Sequence, residues 1–271
     1  MAVLEVGDAS IAYTDTGAPP DHPDAPTIVF GHGLLFSGWM FHPQVDALRD
    51  RFRCVTIDWR GQGATPATRS GYDMDTLTGD AVALIRSLDV GPVHYVGLSM
   101  GGFVGQRLAA RHGALLRSLT LLDTSADPEP RISAVEDLAM AAVYPLTGVR
   151  PLFPIVVRLM FGPAFRRNPS GAPIIAEFRS RLERCDRRGT ARAVRGVALR
   201  KPVYAELDRI AVPTLVIVGA DDKPTKPDKA RRIADRVPNA RLEIVPDCGH
   251  SSTVEQPAVI TALLSGFLAA H

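Results

Sequence analysis

Six short runs of β-branched and apolar residues recur along this chain: TIVFG from Thr27, RCVTID at 53 to 58, PVHYVGL at 92 to 98, LLRSLTLLD at 115 to 123, TLVIVG at 214 to 219 and RLEIV at 241 to 245. Such near-continuous apolar runs suit strands buried on both faces, and their alternation with helical stretches builds a parallel sheet covered on each side by helices. The helical stretches are visible as period-3.6 patterns, with Leu77, Val82, Leu84, Ile85 and Leu88 in one and Val104, Leu108 and Ala109 in the next. Gly91-Pro92 and Gly113 are read as the ends of those helices. Two further β-rich pieces, AVLEV and SIAYTDT, precede a turn-rich spacer holding Pro19, Pro20, Pro23 and Pro26, and predict a lead-in hairpin.

The rhythm breaks after Asp123. Residues 126–209 are proline-rich and helix-like, with no convincing strand, before the alternation resumes at TLVIVG. The division expected is a core of residues 1–125 and 210–271 with a helical cap, 126–209, inserted in it. A chain of 271 residues with 46% hydrophobic content can bury a core of that size.

Several function classes are excluded by composition. A net charge of +2 and only 6% aromatic residues argue against a nucleic-acid partner. Three widely spaced cysteines, Cys54, Cys185 and Cys248, are too few for a disulfide framework and are expected to be reduced. The opening MAVLEVGDAS carries Glu5 and Asp8 where an export signal would be basic and then apolar, so the expected location is the cytoplasm. The most apolar later stretch, PLFPIVVRLMF, is broken by two prolines and Arg158 and falls short of the ~20 residues a membrane span needs. The partner expected is a small-molecule substrate.

Chemistry is concentrated in a few loops. Gly97-Leu98-Ser99-Met100-Gly101 closes a predicted strand and opens a predicted helix, the setting in which G-x-S-x-G lifts a serine clear of the backbone. A serine hydroxyl is a poor nucleophile at neutral pH and needs a base, and that base needs a group to hold its tautomer. His250, in the loop PDCGHSS after the last predicted strand, is the best-placed base; His22 and His42 sit in loops, His94 in a strand, His112 at the end of a helix and His271 at the terminus. Asp222, just beyond TLVIVG, is the expected acid and completes the order Ser, Asp, His. Asp123, at the end of LLRSLTLLD, competes for that role, and Asp221 reads more simply as a turn residue.

An oxyanion in the reaction would need backbone donors. Gly31-His32-Gly33-Leu34 directly follows the first buried strand, so the N–H groups of Leu34 and Met100 are expected to supply them, with His32 shaping the loop. No metal-binding pattern is present, and Gly61-Gln62-Gly63 is too short for a dinucleotide site, so no cofactor and no metal are expected.

Taken together, GHGLLFSGW, DWRGQGAT, GLSMGG, GADD and PDCGHSS resemble, in order and spacing, the motifs of the cap-bearing α/β-hydrolase superfamily, over nearly the whole chain except the cap. The resemblance implies an α/β-hydrolase fold: a mostly parallel eight-stranded sheet flanked by helices, with an inserted helical cap. Related dehalogenases and epoxide hydrolases carry aspartate where this chain has Ser99, which points instead to acyl chemistry. Similar proteins include carboxylesterases, enol-lactonases, carbon–carbon bond hydrolases and cofactor-free perhydrolases. The leading expectation is therefore a serine hydrolase of esters or lactones with small-to-medium hydrophobic acyl groups. A carbon–carbon hydrolase or perhydrolase using the same three residues, and a hydrolase-like receptor without turnover, are the alternatives. The cap holds an excess of eight basic over acidic residues between 131 and 210, so a substrate carboxylate held by an inward arginine such as Arg158 is a further alternative.

Overall fold

The computed structural model describes all 271 residues. The apolar runs become strands where the sequence places them: β1 (Ala2–Val6), β2 (Ala9–Asp15), β3 (Thr27–Gly31), β4 (Arg53–Ile57), β5 (Val93–Leu98), β6 (Leu116–Leu122), β7 (Thr214–Gly219) and β8 (Arg241–Val245). They form one eight-stranded sheet in the order β1-β2-β4-β3-β5-β6-β7-β8. The pairs β1–β2 and β2–β4 are antiparallel and all others parallel. Burial follows position in the sheet. Every residue of the interior strands β3, β5 and β7 is buried, whereas the edge strand β1 alternates half-buried and exposed. That difference is why the former read as continuous apolar runs and the latter as a period of two.

Helices cover both faces. Between the early strands lie α1 (His42–Leu48), α2 (Met74–Leu88) and α3 (Met100–His112). Five more form the insertion between β6 and β7: α4 (Arg131–Thr147), α5 (Phe153–Met160), α6 (Pro163–Arg167), α7 (Gly171–Arg184) and α8 (Arg187–Ala198). The chain then adds α9 (Pro227–Arg236), α10 (Ser252–Glu255) and α11 (Pro257–Leu268). One helix end differs from expectation. α2 stops at Asp89, which itself takes the left-handed conformation at φ 50°, two residues before Gly91. Asp tolerates that conformation better than most side chains, so glycine is not needed at the stop. Gly113 is the C-cap of α3, in the place read from the sequence; it keeps a right-handed conformation and opens a short 3₁₀ turn.

Two apolar layers sandwich the sheet. One centres on Trp59, Leu84, Tyr95, Phe103 and Val216. The other runs from Phe30, Phe41, Val96 and Phe267 into the insertion through Phe161, Phe165 and Phe178. The insertion is thereby seated on the core by aromatic packing: Phe36, just after β3, stacks on Phe178 of α7 at 4.6 Å and meets Phe161 edge-on at 6.3 Å. The insertion's outer face is less conventional, with Ile132, Val135, Val143 and Leu146 of α4 exposed.

Candidate active site

Parallel strands present their carboxyl ends on one edge of the sheet, and the loops leaving them converge there. Ser99 follows β5 and begins the turn into α3, with φ 51° and ψ −108°, a conformation that costs energy for any residue with a Cβ. Long-range bonds hold it. Ser99 N–H donates to Leu122 O at 2.9 Å, Thr124 Oγ1 donates to Ser99 O at 2.8 Å, and Gly101 N–H donates to His32 O at 3.1 Å. The glycines of the motif are there for close approach. A Cβ on Gly101 would run into the Gly31 carbonyl, and one on Gly97 into the carbonyl of Gly101.

His250, between β8 and α10, reaches Ser99 Oγ with Nε2 at 2.9 Å. Its Nδ1 lies 2.9 Å and 3.1 Å from the two carboxylate oxygens of Asp222, in the turn after β7. All three residues are almost fully enclosed, at 7%, 4% and 3% exposure for Ser99, His250 and Asp222. Asp222 is itself aimed by Thr225, whose N–H donates to Oδ1 and whose Oγ1 donates to Oδ2, both at 2.9 Å. Because the carboxylate can only accept, Nδ1 must carry the proton, which leaves Nε2 free to accept from Ser99 Oγ–H. Burial alone would lower the pKa of His250. The charge and hydrogen bond of Asp222, supported by Asp123 and Glu255, outweigh it, and the net direction is upward.

Of the competing acids, Asp221 is exposed and only its N–H is engaged, donating to Cys248 O at 2.8 Å. Asp123 is fully buried and makes no hydrogen bond to the imidazole. It accepts from Gly219 N–H at 2.9 Å and Ser252 N–H at 3.3 Å. Burial, and then the neighbouring Asp222 charge, push its pKa well up.

The loop after β3 lies against the serine: a Cβ on Gly33 would stand 3.5 Å from Ser99 Cβ. His32 shapes this loop with both ring nitrogens, Nδ1–H donating to Gly33 O at 2.7 Å and Nε2 accepting from Trp59 N–H at 3.0 Å. Leu35 N–H donates to Gln62 Oε1 at 2.8 Å, which ties the DWRGQGAT segment to the loop. Leu34 N–H donates to no protein group. Met100 is the first residue of α3, so its N–H has no intrahelical partner. Arg158, by contrast, is exposed on α5 and makes no hydrogen bond, so it is not the inward arginine considered above; the helix turns it to solvent. No group of three His, Cys, Asp or Glu side chains is placed to hold a metal ion.

Thr225 and Glu255 were not singled out in the sequence. Thr225 had a readable signal, since D-x-x-T is the spacing at which an aspartate caps a following turn. Glu255 had none, because the partner that ties it to the insertion, Gly162, lies 93 residues earlier.

The sequence and the fold have counterparts in known proteins. Residues 26–257 match the family model described as the alpha/beta hydrolase fold. A crystal structure of the enol-lactonase from Burkholderia xenovorans LB400 superposes with a TM-score of 0.90 at 28% identity, covering 98% of this chain and 99% of that one. A thermophilic esterase from Thermogutta terrifontis gives 0.88 at 26% identity, covering 97% and 94%. The 3-oxoadipate enol-lactonase 2 of Acinetobacter baylyi is 26% identical over 255 residues, 94% of this chain and 91% of that protein. With a family match across most of its length and a Ser99–His250–Asp222 network at the carboxyl edge of the sheet, the chain belongs to the α/β-hydrolase fold family and is a hydrolase related to lactonases and esterases.

Proposed function

We propose that the protein hydrolyses a carboxylic ester or lactone through an acyl-enzyme on Ser99, with His250 as general base and Asp222 as the acid that orients it. The observation that carries this reading is the unbroken chain of hydrogen bonds from Asp222 through His250 to Ser99 Oγ. Ser99 Oγ attacks the carbonyl carbon while its proton passes to His250 Nε2. The Leu34 and Met100 N–H groups take the resulting oxyanion. Collapse breaks the bond to the leaving oxygen, which receives the proton from His250, and a water activated by the same nitrogen then releases the acid. Every proton moved passes through His250 Nε2, so this mechanism calls on no cofactor.

In this reading residues 126–209 act as a cap over a core of 1–125 and 210–271, and the aromatic side chains beneath it favour small-to-medium hydrophobic acyl groups. The test has two parts. A serine-directed phosphonate should label Ser99, and Ser99→Ala should lower ester turnover by roughly 10⁴-fold or more. A kcat/KM series over acyl chain length, with neutral and anionic members matched in size, should favour the neutral ones. Labelling elsewhere overturns the mechanism; a tenfold preference for the anions overturns the specificity.

A further inference from the structure

Glu255 sits at the end of α10, 7% exposed, and takes part in no ion pair. A buried carboxylate without a cation is costly unless backbone donors compensate it. Three N–H groups do so here. Ser251 N–H donates to Oε1 at 3.1 Å, and Gly249 N–H and Gly162 N–H both donate to Oε2 at 2.9 Å. Burial still raises its pKa, opposed by those three bonds. An ordinary role at the first turn of a short helix would account for the Ser251 bond alone. It does not account for Oε2, whose donors are residues 249 and 162.

The two donors on the histidine loop flank His250 on either side. The third belongs to the insertion, at the turn between α5 and α6, and the backbones meet closely enough that a Cβ on Gly162 would crowd Gly249 N and Glu255 Oε2. Ser251 Oγ adds a bond across the same junction, donating to Met160 O at 2.7 Å. One side chain therefore gathers the loop that carries the imidazole and the segment of the insertion lying on it.

We infer that Glu255 is a positioning residue that fixes the His250 loop and keys it to the seated insertion, so that the base is aligned with Ser99 when the insertion is in place. This rests on the reading of His250 as the catalytic base. The charged groups facing the imidazole are Asp222 after β7, Asp123 after β6 and Glu255 on α10, and all three support its protonated form. Removing the charge of Glu255 at constant shape thus has a consequence that a loss of packing does not have: the pKa of His250 falls.

The test compares the full-length wild type with Glu255→Gln, Glu255→Asp and Gly162→Ala, each normalised to active sites titrated with the phosphonate probe. Glu255→Gln is expected to lose tenfold or more in kcat with KM changed less than twofold. Its acid limb of kcat/KM should move to lower pH. Glu255→Asp keeps the charge and should leave the limb in place while losing kcat, because the shorter chain cannot reach all three donors. Gly162→Ala, which keeps Glu255, should lower kcat at least fivefold by pressing the insertion off the loop, and it carries the test if Glu255→Gln does not fold. Unchanged kcat per titrated site and an unmoved limb in Glu255→Gln, or unchanged kcat in Gly162→Ala, overturn the inference. Ser99→Ala run alongside separates the two levels: an active Ser99→Ala fails the catalytic reading itself, whereas an inactive one beside an unaltered Glu255→Gln fails only the role of Glu255.

Discussion

Asp222→Asn is the substitution whose effect can be worked out atom by atom. Thr225 N–H is an obligate donor to Oδ1, so the carbonyl oxygen of the new side-chain amide must occupy that position and its nitrogen the position of Oδ2. Thr225 Oγ1 can reverse its role and accept from the new amide. His250 Nδ1 lies 2.9 Å from the new nitrogen and 3.1 Å from the new carbonyl oxygen, and the closer of the two contacts becomes favourable when Nδ1 gives up its own proton. The imidazole is then held with the proton on Nε2, facing Ser99 Oγ as a donor instead of an acceptor, and the base is lost without any change of shape. Enforcing the wrong tautomer in a Ser-His-Asp arrangement costs roughly 10⁴-fold in kcat, about 5.4 kcal/mol of transition-state stabilisation. Asp123→Asn makes the internal control. Its carboxyl group makes no bond to the imidazole, so the loss should stay within about tenfold, although the Ser252 N–H left facing an amide nitrogen should cost about 1–2 kcal/mol of stability. Steady-state kinetics on a chromogenic ester, paired with urea denaturation, separate the two effects. Comparable turnover in Asp222→Asn and the wild type, or a crippled Asp123→Asn with an active Asp222→Asn, would refute the assignment of the orienting acid.

Other outcomes follow from the same structure. Since the pKa of His250 is raised and the base works only when Nε2 is unprotonated, activity should appear on going up in pH. The acid limb of kcat/KM should lie above the ordinary imidazole value of about 6.5, and a limb below it would contradict the electrostatics of the site. Arg60 and Asp80 form a buried bidentate pair at 2.7 and 2.8 Å, and Asp80→Ala leaves the buried guanidinium only its 2.9 Å bond to the exposed Asp8; urea unfolding should show a loss of about 3–5 kcal/mol, and a loss under about 1 kcal/mol would discredit the pair. Gly101→Ala forces a Cβ against the Gly31 carbonyl, and soluble, fully active Gly101→Ala protein would show that the elbow is looser than its backbone contacts indicate.

The strands, the helices between them and the placement of Ser99 could be read from the amino-acid order because each depends on neighbours in the chain. A strand buried on both faces must be apolar throughout, and the turn at Ser99 needs small residues two positions away on each side. The loop holding His250 and the order Ser, Asp, His were legible for the same reason. Chain order and the expected ends of the strands favour Asp222 over Asp123 and Asp221, but those ends lie side by side in the sheet, and only side-chain direction separates the acids. The folded chain turns Asp123, at φ 46°, toward the N–H groups of Gly219 and Ser252, leaves Asp221 in solvent, and lets Thr225 aim Asp222 at the imidazole. Glu255 lay beyond the reach of any sequence pattern. Its meaning depends on Gly162, 93 residues earlier, and contacts across such a separation come from packing the insertion onto the core, which no local periodicity encodes.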